Sequence, residues 1–169
     1  MDGFPGQITS SSDAFSSASL VLEKSSAPFG VVLVASEDGL CRLPDKVNVL
    51  EMGATTGKAV GILAQHVGDG SPCTVPLDSP IGNGETVYAK AGEAVSLVTV
   101  GSVFVKTETT VAKGDAVFYR VSDGLLGSIR NDADTDKAVQ LNGAVFARGA
   151  NAGDTVQIDI NLNTVQESY

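Results

Sequence analysis

The chain has 169 residues and a mass of 17.2 kDa, which fits one domain with a sizeable core. Its 20 acidic residues outnumber 11 Lys and Arg residues and give a net charge of −9, which argues against direct binding to DNA or RNA. No apolar run approaches the roughly 20 residues needed to cross a bilayer, and the first residues lack the pattern of a secretory signal, so we expect neither a membrane partner nor export.

Residues 1–26 differ in composition from the rest of the chain. They are rich in Ser, Ala and Gly, and therefore have few large side chains to bury. Four spaced apolar residues, Phe4, Ile8, Phe15 and Leu20, are anchors that a partner could hold. We therefore predict an extended N-terminal arm at residues 1–26 and a single β-domain at residues 27–169.

Strand patterns begin directly after this segment. "FGVVLVA" (29–35) and "LCRL" (40–43) flank an Asp38-Gly39 turn, which predicts a hairpin. "KAVGILAQHV" (58–67) is nearly all apolar and could form a helix or a strand. We favour a strand, because Gly57 and Gly61 would each weaken a helix by about 1 kcal/mol relative to Ala.

A Gly-acid-x-Val motif occurs three times, each time before β-branched or aromatic residues. Gly admits the positive φ of a tight turn, the acid tends to bond to nearby turn amides, and Val opens a strand. The motif therefore predicts a turn and then a strand at each copy, which are Gly92-Glu93-Ala94-Val95, Gly114-Asp115-Ala116-Val117 and Gly153-Asp154-Thr155-Val156.

The later part of the chain has the strongest strand patterns. "AVSLVTV" (94–100) and "SVFVKTETTV" (102–111) predict two strands separated at Gly101. In "VQIDINLN" (156–163), apolar and polar residues alternate, which places one face in a core. Many short strands with turns between them predict an all-β fold, either a compact β-barrel or a jelly-roll-like sandwich.

Cysteine and histidine are too scarce for a metal site. Cys41 and Cys73 cannot form a disulfide framework and are interpreted as free thiols. A zinc site would have to recruit His66, the only His, and these three residues lack the paired spacing of zinc ligands. The sequence therefore predicts no metal and no other cofactor.

An acidic segment, "NDADTDKAV" (131–139), has Asp at every second position, as a calcium-binding loop does. Its sixth position is Lys137, where the loop needs Gly, and its twelfth is Gly143, where it needs a bidentate Glu. The part "DTDKA" resembles the lysine-bearing hairpin of lipoyl carrier domains, in which a modified Lys stands at the tip. A carrier with Lys137 as the modified residue is therefore an alternative function, beside a plain solvated loop.

Catalytic motifs are weak. A Ser or Cys nucleophile needs a base within hydrogen-bond reach, and His66 is the only candidate His. No Ser lies in a Gly-x-Ser-x-Gly elbow, and "GNGETV" (82–87) lacks the third Gly and the helix of a phosphate-binding loop. We therefore predict no catalytic residues and a protein that is not an enzyme.

The order of the strand motifs resembles that of structural cement or head-decoration proteins of tailed bacteriophages. The arm contains "GFPGQI", and the motifs "FGVVLV", "GKAVGILAQ", "GSVFVK", "VAKGDAVFYRV" and "NGAVFARGANAGDTVQIDINL" follow in order between Phe29 and Leu162. The resemblance implies a β-barrel or jelly-roll-like virion protein without catalysis.

The resemblance also implies partners and a location. Such a protein binds the outer capsid surface, bridges neighbouring major capsid subunits, stabilises the expanded head and associates with itself as a dimer or trimer. It would be made in the host cytoplasm and reside in the virion. We expect the arm, with Phe4, Ile8, Phe15 and Leu20, and exposed strand edges to make the capsid contacts. A tail or receptor-binding protein of the virion is a further alternative, because it would be equally rich in strands.

Overall fold

The computed structural model describes residues 5–9, 16–36, 39–46, 58–64 and 88–165. These residues form twelve β-strands and, after the last of them, a 3₁₀ turn at Leu162–Val165. The strands are β1 (Ile8–Thr9), β2 (Ser16–Leu22), β3 (Ala27–Pro28), β4 (Val32–Ala35), β5 (Leu40–Arg42), β6 (Ala59–Ala64), β7 (Tyr88–Ala89), β8 (Ala94–Lys106), β9 (Ala116–Arg120), β10 (Ile129–Arg130), β11 (Ala138–Phe146) and β12 (Thr155–Asn161). The predicted all-β fold is confirmed. Within these ranges, no helix is long and apolar enough to cross a membrane.

The repeated Gly-acid motif forms the same turn three times. The φ angles of Gly92, Gly114 and Gly153 are 85°, 88° and 88°, which is the left-handed value that a type II turn requires at its third position. In each copy the carboxylate of the acid accepts a hydrogen bond from the first residue of the turn. These bonds run from Lys90 N to Glu93 Oε2 (3.0 Å), from Ala112 N to Asp115 Oδ2 (2.9 Å) and from Asn151 N to Asp154 Oδ2 (3.3 Å). The motif therefore leads into β8, β9 and β12, as predicted.

β8 is a 13-residue strand around which the sheet is organised. Its first half pairs with β2 on one side and β6 on the other, and its second half pairs with β1 and β12. The prediction of two strands separated at Gly101 was wrong. Gly101 has a φ of 133°, so the backbone changes direction there without leaving the sheet.

The first ring of strands is a closed five-stranded barrel, in the order β8–β2–β5–β4–β6 and back to β8. All neighbours in this ring are antiparallel except β2 and β5. Their side chains, together with residues of β3 and β7, fill a core that we call the barrel core: Leu22, Ala27, Val31, Leu33, Cys41, Leu63, Ala89, Val95 and Leu97. Of the two predicted architectures, the structure therefore has the barrel.

β8 also belongs to a second ring, in the order β8–β12–β11–β9–β10. A single bridge between Thr107 and Ile129 closes it, with a hydrogen bond of 2.8 Å from Glu108 N to the Ile129 carbonyl. We call this junction, residues 107–109 against 129–131, the seam. The second ring encloses a larger core, which also takes in Val32, Val34 and Ile62 from the barrel strands, and we call it the shared core.

Part of the predicted arm is a strand of the barrel. β2 lies within residues 1–26, pairs antiparallel with β8 and runs parallel to β5. Leu22, at its end, is 1% exposed and lies in the barrel core, although the composition suggested that this segment had little to bury. The division into domains after Ser26 stays a prediction, but the first ring closes only with a strand that precedes this boundary.

The predicted alternation along β12 is confirmed. Val156, Ile158 and Ile160 are buried in the shared core, and the residues between them are exposed or half-buried. Leu162 continues the apolar series into the 3₁₀ turn, where it packs against the same core. The strand therefore has one face in the core and one face in solvent.

Candidate functional site

Two of the four predicted contact residues lie among the described residues. Ile8 is in β1 and packs against the shared core, and Leu20 is in β2 and packs against the barrel core. Both side chains are only partly buried, so each also has a solvent-facing part. Phe4 and Phe15 lie outside the described residues.

The N-terminal segment follows one side of β8. Gly6 N donates to the Phe104 carbonyl at 2.8 Å, and Phe104 N donates to the Gln7 carbonyl at 2.9 Å. β1 continues this pairing at Val103, and β2 resumes it from Val100 to Ala94 in the same antiparallel sense. Main-chain pairing of this kind is how a peptide adds a strand to a sheet edge. The described parts of the arm thus pair with the chain's own sheet.

An open groove with a volume of about 500 Å³ adjoins Leu20. Its walls are mainly aliphatic, and Lys58 is the charged side chain among the residues that line it, which are Leu20, Lys58, Ala59, Val60, Thr99, Leu162 and Asn163. These side chains include no acid–base pair.

An ion-pair network spans the seam that closes the second ring. Glu108 accepts from Arg120 Nε at 2.9 Å and Nη2 at 2.6 Å, and from Arg130 Nη1 at 3.2 Å. Asp134 Oδ2 accepts from the same two arginines at 3.0 and 2.7 Å, and the Ser128 hydroxyl donates to Glu108. The arginine side chains are only 10% and 9% exposed. At the seam, where few backbone hydrogen bonds connect the two sides, these side chains therefore hold β10 to the residues that follow β8.

The network keeps its members charged. Burial alone would raise the pKa of Glu108, but the hydrogen bonds from Arg120 and Ser128, with the charges of Arg120 and Arg130, outweigh burial and bring the pKa below 4.5. The hydrogen bond from Arg120 is the main cause of the lowered pKa of Asp134, and the bond to Glu108 raises the pKa of Arg120. The pairs are therefore intact at neutral pH.

The acidic loop is tied to these arginines. Asp134, Thr135 and Asp136 have φ angles of 44°, 54° and 65°, a conformation that costs a non-glycine residue about 1–2 kcal/mol. Asp132 accepts from Arg130 Nε at 2.6 Å. Two of the acids that suggested a calcium loop are thus bound to arginine, and the described residues contain no cluster of three metal-ligating side chains.

Lys137 lies at the base of this loop. Its N–H bonds to the carbonyls of Ala133 and Asp134, and the next residue, Ala138, begins β11. Its ammonium group pairs with Asp123 at 3.3 Å, and the side chain is 43% exposed. A carrier lysine would stand at a hairpin tip, so this position gives the carrier alternative no support.

Cys41 is a free, fully buried thiol in β5. Burial raises its pKa to about 11, which keeps it protonated and unreactive at neutral pH. Its Sγ faces the Val21 carbonyl at 3.5 Å. The interpretation of Cys41 as a free thiol is confirmed, whereas Cys73 and His66 lie outside the described residues.

Sequence reasoning did not find the seam network. Strand alternation places Arg120 and Arg130 on the outward face, because their neighbours Tyr119 and Ile129 are core residues. An arginine directly before the acidic loop was an available indication of pairing within that loop. That Glu108 would reach both arginines follows only from ring closure, which brings distant parts of the chain together.

Comparison with known proteins gives two findings. A family model described as structural cement protein (E217 gp24/Pam3 gp6) matches residues 1–161. A chain of a solved structure described as the capsid of Myoviridae phage XM1 has a TM-score of 0.65 and 16% sequence identity, over 95% of this chain and 91% of that chain. At this identity the structural likeness indicates the fold alone. No curated protein matches the sequence.

Proposed function

The chain belongs to the family of phage structural cement proteins, and we propose that it binds the outer surface of a phage capsid and joins neighbouring major capsid subunits in the expanded head. Membership makes it a structural protein of the bacteriophage virion. The finer parts of the proposal are the outer surface, the bridging of subunits and self-association as a dimer or trimer.

The family match over residues 1–161 carries the proposal, because it includes both the arm and the two rings. The fold supports it. Two rings that share β8 and a core form a unit that resists distortion, as a protein joining two subunits must. The described residues also offer surfaces for contact, such as the groove beside Leu20.

Binding alone is enough for such a role. A ligand that binds one state of a lattice and not the other stabilises the bound state by mass action, and many copies on one shell multiply the effect. We therefore propose that the protein acts without catalysis, after synthesis in the host cytoplasm. The solvent-facing parts of Ile8 and Leu20, with Phe4 and Phe15, are the proposed capsid contacts of the arm.

Quantitative co-sedimentation with capsids from the source phage tests the proposal. Expanded shells stripped of this protein are mixed with purified protein, and unexpanded shells serve as the control. We expect hundreds of copies per expanded shell and few on unexpanded shells. Absence of binding to expanded shells, or a handful of copies per intact virion as in a tail protein, would contradict the proposal. An intact-mass measurement that finds an adduct on Lys137 would favour the carrier instead.

A further inference from the structure

Two of the three Gly-acid turns lie side by side at one end of the second ring. Val111 and Ala150 form an antiparallel bridge, with N–H···O distances of 2.9 and 3.0 Å in the two directions. Ala152 N also donates to Thr110 Oγ1 at 3.4 Å. The turns at 112–115 and 151–154 are thereby fixed next to each other, and we call this region the turn end.

Three exposed cations surround the turn end. Lys113 is within the first turn. Arg148 lies close to the same turn, because the Phe146 carbonyl, two residues before it, accepts a hydrogen bond from Gly114 N at 2.8 Å, and Ala150, two residues after it, forms the bridge. Lys106 is opposite Thr155, the residue after the second turn. The described residues provide no ion-pair partner for any of these three, in contrast to the arginines of the seam.

The acids of the same region are engaged within the chain. Asp115 accepts from Ala112 N and from Asn131 Nδ2, both at 2.9 Å, and the bond from Ala112 is the main cause of its lowered pKa. Asp154 accepts from Asn151 N. Each carboxylate is thus held in its own turn, whereas the cations extend from exposed residues and form no ion pair with any other described residue.

An exposed apolar residue lies on the strand that leads to Arg148. Val145, in β11, is 46% exposed, and its cross-strand neighbours are Ala116, the residue after the first turn, and Asp159 in β12. Asp159 in turn accepts from the Ser102 hydroxyl. An apolar side chain with a charged rim is the usual composition of a protein–protein contact.

We propose that the turn end, together with the adjoining residues Lys106, Val145 and Arg148, docks on an acidic protein surface of the capsid shell. This inference rests on the proposed function. It adds which face of the protein contacts the capsid and that the contacted capsid surface is acidic. Rigid turns lose little conformational freedom on docking, and unpaired cations beside an apolar residue complement acids around an apolar depression.

Charge-reversed variants test the inference by co-sedimentation with stripped, expanded capsids of the source phage. The test variant is Lys106→Glu/Lys113→Glu/Arg148→Glu. The control variant, Lys24→Glu/Lys46→Glu/Lys90→Glu, makes the same change in net charge at exposed residues away from the turn end and from the groove beside Leu20. Val145→Asp is examined separately. Circular dichroism melts establish that each variant is folded.

We expect the test variant to bind at least about tenfold more weakly than the control variant, because attraction is replaced by repulsion. Val145→Asp should also weaken binding, and higher salt should weaken binding of the wild type, since exposed charges are screened. If the wild type binds but the two triple variants bind with equal affinity, or the control variant binds more weakly, this inference is wrong and the proposed function stands. Absence of wild-type binding would overturn the proposed function and this inference with it.

Discussion

Two kinds of glycine position determine where the backbone of this protein turns. Gly114 is exposed, has a φ of 88°, and a Cβ there would meet no atom within 4 Å. Gly127 is buried, has a φ of 80°, and a Cβ there would lie 2.5 Å from the Val32 carbonyl oxygen, next to the hydrogen bond from Val32 N to the Gly127 carbonyl. Gly114 is therefore needed only for its left-handed φ. Gly127 is needed for its left-handed φ and also because a side chain there would clash with the backbone of Val32.

Alanine substitutions at these two glycines should differ in cost. Gly114→Ala should reduce the free energy of unfolding by about 1 kcal/mol, the cost of a left-handed alanine. Gly127→Ala should reduce it by about 3 kcal/mol or more, because the backbone of β4 must also move. Urea denaturation of both variants measures the two values. Equal losses would show that the close approach of Gly127 to β4 is not tight.

The face of β12 that enters the core is a second residue-scale prediction. Ile158 is fully buried between β8 and β11, so Ile158→Asp should cost several kcal/mol and unfold or aggregate the protein. Gln157→Asp adds the same charge to the neighbouring, half-buried position and should cost much less. Thermal melts compare the two variants. A cooperative melt of Ile158→Asp at the wild-type temperature would contradict the strand orientation.

At the scale of elements, the second ring closes through side chains where backbone pairing is sparse. One bridge and the network around Glu108 hold β10 to the residues after β8. The carboxylates of Glu108 and Asp134 have lowered pKa values, so their pairing stabilises the protein above their unfolded pKa values and is lost as pH falls through the folded ones.

Glu108→Gln should therefore destabilise the protein in a pH-dependent way. Glu108 is 26% exposed, so we expect a loss of about 1–3 kcal/mol at pH 7, less than for a fully buried pair. The difference from the wild type should shrink as pH falls from the ordinary pKa of the unfolded carboxyl toward the lowered folded one, because there the unfolded chain binds a proton that the folded chain does not. Urea denaturation at pH 7 and at about pH 3 measures it. A difference that stays constant with pH would exclude an ionic role for Glu108.

Truncation separates the two parts of the N-terminal segment. Removal of residues 1–9 deletes β1, leaves the first ring closed and should give a folded, somewhat less stable protein. Removal of residues 1–26 also deletes β2, which opens that ring and exposes the barrel core. The longer truncation should therefore lose its cooperative melt, as measured by circular dichroism. A cooperative melt at the wild-type temperature would show that the domain does begin after Ser26.

The sequence pattern predicted those turns and strands that are determined by residues adjacent in the chain. The Gly-acid turns, the strand at 59–64 and the alternating face of β12 follow from residues adjacent in sequence. The parallel pairing of β2 with β5 and the reach of Glu108 to Arg130 depend on ring closure, which no short window of sequence encodes. The continuity of β8 was missed because Gly101 marks a bend in a strand as readily as its end.

At the scale of the whole molecule, charge is unevenly distributed along the chain. The described residues contain all 11 Lys and Arg residues, while nine of the 20 acids lie outside them. The net charge of −9 therefore comes from residues outside the described ranges, and within those ranges acidic and basic residues are equal in number. This balance leaves room for a cationic face such as the turn end on a protein that is acidic overall.

The stability of heads that lack this protein is the most direct test of cementing. Stripped, DNA-filled heads are heated with and without added protein, and DNA release is followed with a dye that heads exclude. We predict that the added protein raises the temperature of DNA release, because it binds the expanded lattice and joins its subunits. Binding at high copy number with no change in that temperature would contradict the account, since the protein would then coat the capsid without cementing it.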